Sequence, residues 1–323
     1  MMRLLPSFST GLTVALLGAC AVPCVSQDWA KTMLAKSPRH GEYVTIQESN
    51  GRALQAFVVY PEVKDKAPVV VLIHEIFGQS DWAKEMADEL AGAGYIVVEP
   101  DLLSGFGPPM TGVPADAAKS TQAAGATAAA KGTSAQAAED HSHMNMPAPS
   151  AGAAYMAMSP GGTAAFPDQN AVVKAVSALD ANVVTGDLDA AADYGKKLPS
   201  ANGKLYVAGF CWGGGKTFLF ATHRKDLSAA FVFYGPPPPA DAMPSITAPV
   251  YGFYAGNDAR ITATIPQTQT DMKAAGKTYE PVTYDGAGHG FMRAGEAPDA
   301  NAPNSAARAA GFRRLVDLLG GVR

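Results

Sequence analysis

Short apolar runs alternate with segments of helical pattern along most of the chain from Tyr43 onward. The run at 69–73 is apolar at every position, which is typical of a central strand that is buried on both faces. Alternation of such strands with helices predicts βαβ units, and therefore a mostly parallel central sheet flanked by helices and opened by one antiparallel pair. The predicted strands are Val44–Glu48, Leu54–Tyr60, Val69–His74, Ile96–Glu99, Leu205–Phe210, Ala229–Tyr234, Val250–Ala255 and Thr278–Tyr284. The predicted helices are Asp81–Gly92, Asn170–Lys197, Gly213–His223, Ile265–Ala275 and Ser305–Leu319.

One long segment interrupts this alternation. Residues 105–165 are dominated by Ala, Gly, Ser, Thr, Pro and Met, with few charges and no apolar period. A loop of this length inside a compact domain is either functional or disordered. We therefore expect a single domain over 27–323 that carries a low-complexity, largely disordered insertion at one rim of the sheet. Within it, His141, His143 and two neighbouring methionines could hold a soft metal such as copper, although such residues more often serve as polar filler.

The first 26 residues have the pattern of an export signal. Arg3 supplies a positive charge, and an apolar stretch too short to span a membrane follows over 11–22. The sequence Leu-Gly-Ala-Cys at 17–20 resembles a lipoprotein box with a lipid anchor at Cys20, whereas Ala-Cys-Ala at 19–21 resembles a soluble-signal cleavage site. We expect an exported protein, periplasmic or secreted, with either processing route.

Composition narrows the class of partner. The chain has 323 residues, of which 47% are hydrophobic, and its formal net charge is −4. These values are typical of a globular protein, and they provide no basic face for nucleic-acid phosphates. We expect a monomer that acts on a small molecule, without nucleic acid and without stable membrane insertion.

Cysteine usage draws attention to one thiol. Of three cysteines, Cys20 and Cys24 lie in or beside the signal segment, which leaves Cys211 alone in the folded body. A lone cysteine cannot form an internal disulfide, so an exported chain needs a reason to keep it. Burial is one reason and catalysis is another.

The surroundings of Cys211 favour catalysis. Gly209-Phe210-Cys211-Trp212-Gly213 follows a predicted strand and precedes a predicted helix, which is the strained turn that exposes the nucleophile of acyl-transfer enzymes. The helix N-terminus is expected to favour the thiolate and so to lower the pKa of the cysteine.

Two further residues follow in the order nucleophile, acid, histidine. Asp258 comes directly after the predicted strand Val250–Ala255, although Gly-Asn-Asp is also good turn chemistry. His289 lies in a glycine-flanked loop after the last predicted strand, and only His74, at the end of an earlier strand, competes with it. We expect a Cys211–His289–Asp258 triad.

Taken together, His-Glu-Ile-Phe-Gly at 74–78, Gly-Phe-Cys-Trp-Gly-Gly at 209–214 and His-Gly-Phe at 289–291 resemble the dienelactone hydrolase family over 43–104 and 170–319. The resemblance implies an α/β-hydrolase fold and hydrolysis of a lactone or activated ester through a thiol acyl-enzyme, with no cofactor. It also implies that Glu75 contacts the resting thiol and helps to take its proton, and that Asp258 orients His289.

The same resemblance assigns the residues around the substrate. Backbone N–H groups of Ile76 and Trp212 are the expected oxyanion donors. Phe77 and Arg293 are expected to bind substrate, since family members hold the dienelactone carboxylate with two arginines and Arg293 matches one of them. Ser104-Gly105 occupies the place of the other arginine. A paired carboxylate clamp is therefore not expected.

Two alternative functions remain open from the sequence. A general carboxylesterase or thioesterase would use the same triad and differ only in its pocket. A non-catalytic envelope protein would instead bind metal through the His/Met segment at 139–147.

Overall fold

The computed structural model describes residues 27–107 and 161–321. Within these residues, eight strands form one sheet in the order β1-β2-β4-β3-β5-β6-β7-β8. Strand β2 pairs antiparallel with both β1 and β4, and all other neighbours are parallel. The strands are β1 (Gly41–Gln47), β2 (Ala53–Val59), β3 (Ala67–Ile73), β4 (Ile96–Asp101), β5 (Ala201–Phe210), β6 (Ala229–Phe233), β7 (Val250–Ala255) and β8 (Tyr279–Tyr284).

Helices cover both faces of the sheet. They are α1 (Asp28–Ala35), α2 (Asp81–Gly92), α3 (Gln169–Ser177), α4 (Ala181–Lys197), α5 (Trp212–His223), α6 (Ala259–Thr262), α7 (Ile265–Ala274), α8 (Phe291–Ala294) and α9 (Ala302–Gly321). Alternate residues of β3 enter two separate cores. Val69, Val71 and Ile73 pack with α4, α5 and α7, whereas Val70 and Leu72 pack with α1, α2, α8 and α9. The all-apolar run therefore reflects burial on both faces, as predicted.

The predicted helix Asn170–Lys197 is wrong, because the structure contains two helices there. Helix α3 ends at Ser177 and α4 begins at Ala181. Between them Asp180 caps α4, its carboxylate accepting hydrogen bonds from the backbone N–H groups of Asn182 at 2.8 Å and Val183 at 3.3 Å. Apolar positions continue across the break, so periodicity alone joined the two helices.

The two ends of the predicted disordered insertion are folded, which corrects its boundaries. Ser104 forms an antiparallel bridge with Gly161, and Thr163–Ala165 forms a 3₁₀ helix. Gly161 and Gly162 have φ of +93° and +92°, a conformation that L side chains rarely adopt. Residues 105–107 and 161–165 thus belong to the described domain. The signal segment 1–26, the rest of the insertion and its His/Met cluster lie outside the described residues.

Among the helices of the described ranges, none combines the length and the apolar character needed to cross a bilayer.

Candidate active site

Cys211 occupies the sharp turn between β5 and α5. Its φ of 56° and ψ of −116° place it in a region that costs an L residue about 1–3 kcal/mol. The backbone N–H of Cys211 donates to the carbonyl oxygen of Phe233 at 3.0 Å, which ties the turn to the neighbouring strand. The strained turn is therefore held by the sheet, and it presents the thiol at the carboxyl ends of the parallel strands.

The glycines around Cys211 are required by close approach of the backbone. A Cβ at position 209 would collide with the carbonyl oxygen of Gly213, and a Cβ at position 213 would collide with that of His74. The Gly-x-Cys-x-Gly pattern follows from these contacts, because only glycine leaves room for α5 to start against β3 and β5.

The predicted triad residues come together in space. His289 Nε2 lies 3.1 Å from Cys211 Sγ, and His289 Nδ1 bonds the buried Asp258 carboxylate. Asp258 follows β7, and His289 follows β8 in a loop that Gly290 turns with φ +78°. Residues that are 47 and 31 positions apart in the sequence therefore form one continuous chain of polar contacts.

The pKa of the Cys211 thiol is raised, whereas the sequence predicted that it is lowered. Burial, followed by the negative charge of Glu75, raises the pKa of Cys211 to about 11. Backbone N–H groups of Trp212 and Ile76 bond the sulfur and oppose that shift in pKa, as does the charge of Arg260. The expectation of a lowered pKa is wrong because burial outweighs the helix N-terminus. Removal of the proton from the thiol thus requires a base, and His289 is in contact with it.

The two expected oxyanion donors converge on the nucleophile. The N–H group of Trp212 comes from the first residue of α5, and that of Ile76 comes from the loop after β3. Both bond the same sulfur atom, so they lie side by side at the point where a bound carbonyl would meet Cys211. This is the arrangement that stabilises negative charge on a carbonyl oxygen under attack.

Glu75 has different partners from those implied by the family resemblance. Its buried carboxylate accepts a hydrogen bond from Arg293 Nε at 2.7 Å and another from the Tyr234 hydroxyl at 3.3 Å. Among the described contacts of Glu75 there is no hydrogen bond to Cys211, which corrects the expected contact with the resting thiol. A buried carboxylate needs a cation or several donors, and Arg293 supplies the cation.

Arg293 and Phe77 lie in contact with each other beside Glu75. The Arg293 guanidinium lies over the Phe77 ring, 4.9 Å from its centroid, and 27% of the arginine side chain is exposed. Stacking and the ion pair with Glu75 together fix the arginine in place. The structure therefore brings the two predicted substrate-binding residues into contact, with the charge of the arginine already compensated.

Sequence reasoning missed two residues near the nucleophile. Tyr234, with φ +39°, directs its hydroxyl to Glu75 and packs its ring edge-on against His289 at 5.1 Å between centroids. Arg260 follows the triad acid by two positions. Tyr234 ends the predicted strand Ala229–Tyr234, and that position was the available signal. Arg260 lies in α6, beyond the end of β7, and had no such signal.

His74 is not part of the triad. Its side chain is fully buried, its Nδ1 donates to the carbonyl oxygen of Glu75 at 2.7 Å, and its ring stacks on Trp212. Burial lowers the pKa of His74, so the ring is neutral. It supports the loop that carries Glu75 and Ile76.

One group in the described ranges has the donor set for a metal ion. Glu85, Glu89 and Glu296 bring carboxylate oxygens within 4.8 Å of one another. Arg308 donates to Glu89 and Glu296, so a cation already lies in this cluster. The cluster lies between α2 and α9 and contributes no side chain to the Cys211 site.

Comparison with known proteins fits this geometry. The model of the dienelactone hydrolase family matches residues 54–322. The chain belongs to this family. A provisionally named carboxymethylenebutenolidase of Methylorubrum extorquens is 27% identical over 297 residues, which cover 88% of this chain and 81% of the relative. The carboxymethylenebutenolidase of Pseudomonas putida is 26% identical over 253 residues, which cover 78% of this chain and 86% of the relative.

A solved structure supports the fold of this dienelactone hydrolase family member. A provisionally assigned dienelactone hydrolase of Klebsiella pneumoniae subsp. pneumoniae aligns with a TM-score of 0.62 and 22% identity, covering 86% of this chain and 97% of the other. At that identity the likeness speaks for the fold alone. The predicted α/β-hydrolase fold and the predicted family are confirmed, and the chain is a hydrolase of the dienelactone hydrolase type.

Proposed function

We propose that this enzyme hydrolyses a lactone or activated ester through a covalent thioester on Cys211. One observation carries the proposal: the Cys211 thiol, His289 and Asp258 form an unbroken chain of contacts beside two convergent backbone donors. In this order the three side chains are a nucleophile, its base and the group that orients the base.

The chemistry follows from these contacts. His289 Nε2 takes the thiol proton as the sulfur attacks the ester carbonyl, whose π electrons move to its oxygen and are held by the N–H groups of Ile76 and Trp212. When the carbonyl re-forms, the C–O bond breaks and the leaving oxygen takes the proton from His289. Water then gives a proton to His289 and attacks the thioester, and the sulfur leaves and recovers the proton.

Glu75 contributes to this cycle through charge. Its carboxylate disfavours the thiolate in the resting enzyme, and its ion pair with Arg293 limits that effect. We propose that substrate binding draws Arg293 or Tyr234 away from Glu75. This movement changes how strongly Glu75 disfavours the thiolate of Cys211. Asp258 holds the Nδ1 side of His289 so that Nε2 faces the sulfur.

The test is turnover of dienelactone and of p-nitrophenyl acetate by wild type and variants. Cys211→Ala and His289→Ala should each lower kcat by at least about 100-fold on both substrates. His223→Ala is the matched control, since that exposed histidine pairs with Asp189 at 2.7 Å, away from the triad. Full activity in Cys211→Ala would contradict the thioester mechanism.

The two substrates also separate the proposed specificities. A kcat/KM for dienelactone that is well above that for the neutral ester identifies a lactonase. Similar values for both would instead identify the general carboxylesterase that uses the same triad. The metal-binding alternative depends on residues 139–147, outside the described residues, and copper binding without hydrolysis in any variant would favour it.

We further propose that the enzyme is exported and monomeric. The pattern of residues 1–26 supports export, and the lipid anchor at Cys20 is the alternative to a soluble product. Cell fractionation with mass spectrometry of the mature N-terminus separates a lipidated Cys20 from a cleaved signal, and light scattering measures the oligomeric state.

A further inference from the structure

Helix α3 buries its apolar residues in a small core of its own. Val172 and Val176 are 5% and 0% exposed, and together with Leu103, which follows β4, they form a separate apolar cluster. We call these three residues the α3 core. Within the described residues, neither valine belongs to the two large cores on the faces of the sheet. The burial of α3 therefore serves a contact other than the central sheet.

The residues that carry the two oxyanion donors pack against this core. Ile76 and Trp212 are both half-buried, and the side chain of each contacts the α3 core. Their backbone N–H groups bond the sulfur of Cys211. Ile76 lies in the loop after β3 and Trp212 begins α5, so the two donors come from different elements. The α3 core is a support that they share.

Two further contacts join α3 to the turn after β3. Gln169, the first residue of α3, donates from Nε2 to the carbonyl oxygen of Phe77 at 3.3 Å. Val172 lies against Gly78, where a Cβ would come within 3.1 Å of Val172 Cγ1. The N–H of Gly78 donates to the carbonyl oxygen of Glu75 at 3.2 Å, which closes the turn. Helix α3 therefore both bonds and packs against the turn that contains the first oxyanion donor.

The placement of these donors matters for rate. An oxyanion hole requires its N–H groups at about 2.7–3.1 Å from the oxygen that becomes charged. Misplacement of a group by about 1 Å can cost roughly 100-fold in rate, even when its cause lies far from the chemistry. The N–H of Ile76 lies in a loop, beyond the end of β3, so its position depends on what contacts that loop.

We propose that Gln169 and Val172 are positioning residues, through which α3 holds both oxyanion donors at the nucleophile. The inference rests on the proposed function, since it adds the residues that place the donors of the Cys211 site. Val172 acts through packing, and Gln169 acts through its hydrogen bond to the turn. An enzyme in which α3 is loosened should therefore bind substrate normally and stabilise the transition state poorly.

The main test is Val172→Ala, which removes two methyl groups from the contact with the turn. We expect kcat for p-nitrophenyl acetate to fall by roughly 10- to 100-fold with little change in KM, because the donors act mainly on the charged oxygen of the transition state. The pKa of Cys211 should rise, because the same N–H groups favour the thiolate and their withdrawal removes that effect. Steady-state kinetics and thiolate absorbance against pH measure the two results.

Val184→Ala is the matched control. Val184 is 2% exposed on α4 and belongs to one of the two large cores. The substitution removes the same atoms from a helix that packs on the sheet, so it should lower the Tm. The kcat and the pKa of Cys211 should keep their wild-type values.

Gln169→Glu tests the hydrogen bond without making a cavity. The ionised glutamate keeps the shape but cannot donate to the carbonyl oxygen of Phe77, so kcat should fall by roughly 2- to 10-fold with little change in KM. Gln269→Glu, at an exposed position on α7, adds the same charge and should leave kcat unchanged. A wild-type kcat in Gln169→Glu would overturn the role of Gln169.

The outcomes separate this inference from the proposed function. An unchanged kcat and an unchanged Cys211 pKa in Val172→Ala, or equal changes in Val184→Ala, would overturn positioning by α3. A fall in kcat with an equal loss of affinity and no shift in the pKa would show general loosening of the site, which also overturns it. Absence of turnover by wild type would instead overturn the proposed function. The Cys211 pKa would still test α3 in that case, because its measurement needs no turnover.

Discussion

Two opposing sets of groups act on the sulfur of Cys211. Burial and the charge of Glu75 favour the thiol, whereas two backbone N–H groups and Arg260 favour the thiolate. The first set prevails, so the resting nucleophile is protonated at neutral pH. Oxidation and alkylation require the thiolate, and a protonated thiol is therefore protected from both. Because His289 is in contact with the sulfur, the nucleophile can still be activated when a substrate arrives.

Neutralising Glu75 should lower the pKa of Cys211. Glu75→Gln removes a like charge that disfavours the thiolate, and it also leaves the cation of Arg293 uncompensated. Both changes favour the thiolate, so we expect the pKa to fall by about 1–3 units. The measurement is thiolate absorbance at 240 nm against pH, with the signal of a Cys211→Ala variant subtracted.

The matched control is Glu62→Gln, which removes the same charge at an exposed position. Its Cys211 pKa should equal that of wild type. An unchanged or higher pKa in Glu75→Gln would show that burial alone holds the proton on the sulfur.

At the scale of single residues, the sequence predicted the reacting groups better than their partners. Cys211, Asp258 and His289 each lie in a local pattern at the end of a strand, which can be read without the fold. The pairing of Glu75 with Arg293 joins residues 218 positions apart, and Tyr234, which follows β6, completes it. Burial of the thiol depends on the packing of the whole site, so the direction of its pKa shift could not be predicted from the adjacent helix.

Among the elements, the loop after β3 is held by a residue from the far side of the insertion. The Thr163 hydroxyl accepts from the backbone N–H of Gln79 at 2.9 Å and donates to the Asp101 carboxylate at 2.8 Å. The backbone N–H of Thr163 donates to the same carboxylate at 2.7 Å. Because Gln79 ends the loop that carries Glu75 and Ile76, Thr163 connects β4 to one of the oxyanion donors.

Removing that hydroxyl should affect turnover more than binding. Thr163→Val keeps the shape and leaves the N–H of Gln79 without its acceptor, at a cost of about 1–3 kcal/mol. We expect kcat to fall by roughly 10-fold with little change in KM, because the Ile76 donor acts mainly on the charged oxygen of the transition state. Steady-state kinetics on p-nitrophenyl acetate measures the two constants.

Thr163→Ser should restore kcat, since it returns the hydroxyl. Thr185→Val is the control, because that half-buried threonine donates to a carbonyl of its own helix, away from the site. If Thr163→Val and Thr163→Ser lose kcat and affinity to the same extent, Thr163 has a packing role and no part in positioning the donor.

The elements themselves show why composition misled the prediction around Thr163. Residues 161–165 continue the small-residue composition of the insertion, and they are ordered by contacts with distant residues such as Asp101, Ser104 and Gln79. The break before α4 was missed for a different reason. Asp180 marks the break locally by capping α4, but apolar positions recur at helical spacing on both sides of it, so the two helices were predicted as one.

At the scale of the whole molecule, a charged cluster connects helices to the segment that carries catalytic residues. No sequence pattern predicted this cluster. Trp82 Nε1 donates to Glu296 at 3.0 Å, and Arg308 donates to Glu296 and Glu89. Helix α2 is thereby connected to α9 and to the segment that follows His289 and Arg293. The mostly parallel sheet could be predicted, because alternating strands and helices along the chain indicate βαβ units. Contacts between helices distant in sequence depend on how those units pack.

This cluster should make the folded protein less stable at high pH. Burial, followed by the charges of Glu89 and Glu296, raises the pKa of Glu85 to about 10. The folded state therefore keeps a proton that the unfolded chain releases near the ordinary pKa of a glutamate. A raised pKa stabilises the folded state at low pH, and this stabilisation is lost as the pH rises toward 10.

Glu85→Gln keeps a neutral group in place at every pH and should remove much of this loss. Between pH 5 and pH 9 the Tm of wild type should fall further than that of Glu85→Gln, with each 1 kcal/mol of difference corresponding to about 2–4 °C. Glu89, whose pKa is raised to about 7 mainly by burial, remains in the variant, so part of the slope should persist. Glu62→Gln, at an exposed position, should follow wild type. Thermal melts across this pH range measure the Tm of each variant. If the Tm of Glu85→Gln falls as far as that of wild type, or further, Glu85 is ionised in the folded protein and balanced by Arg308.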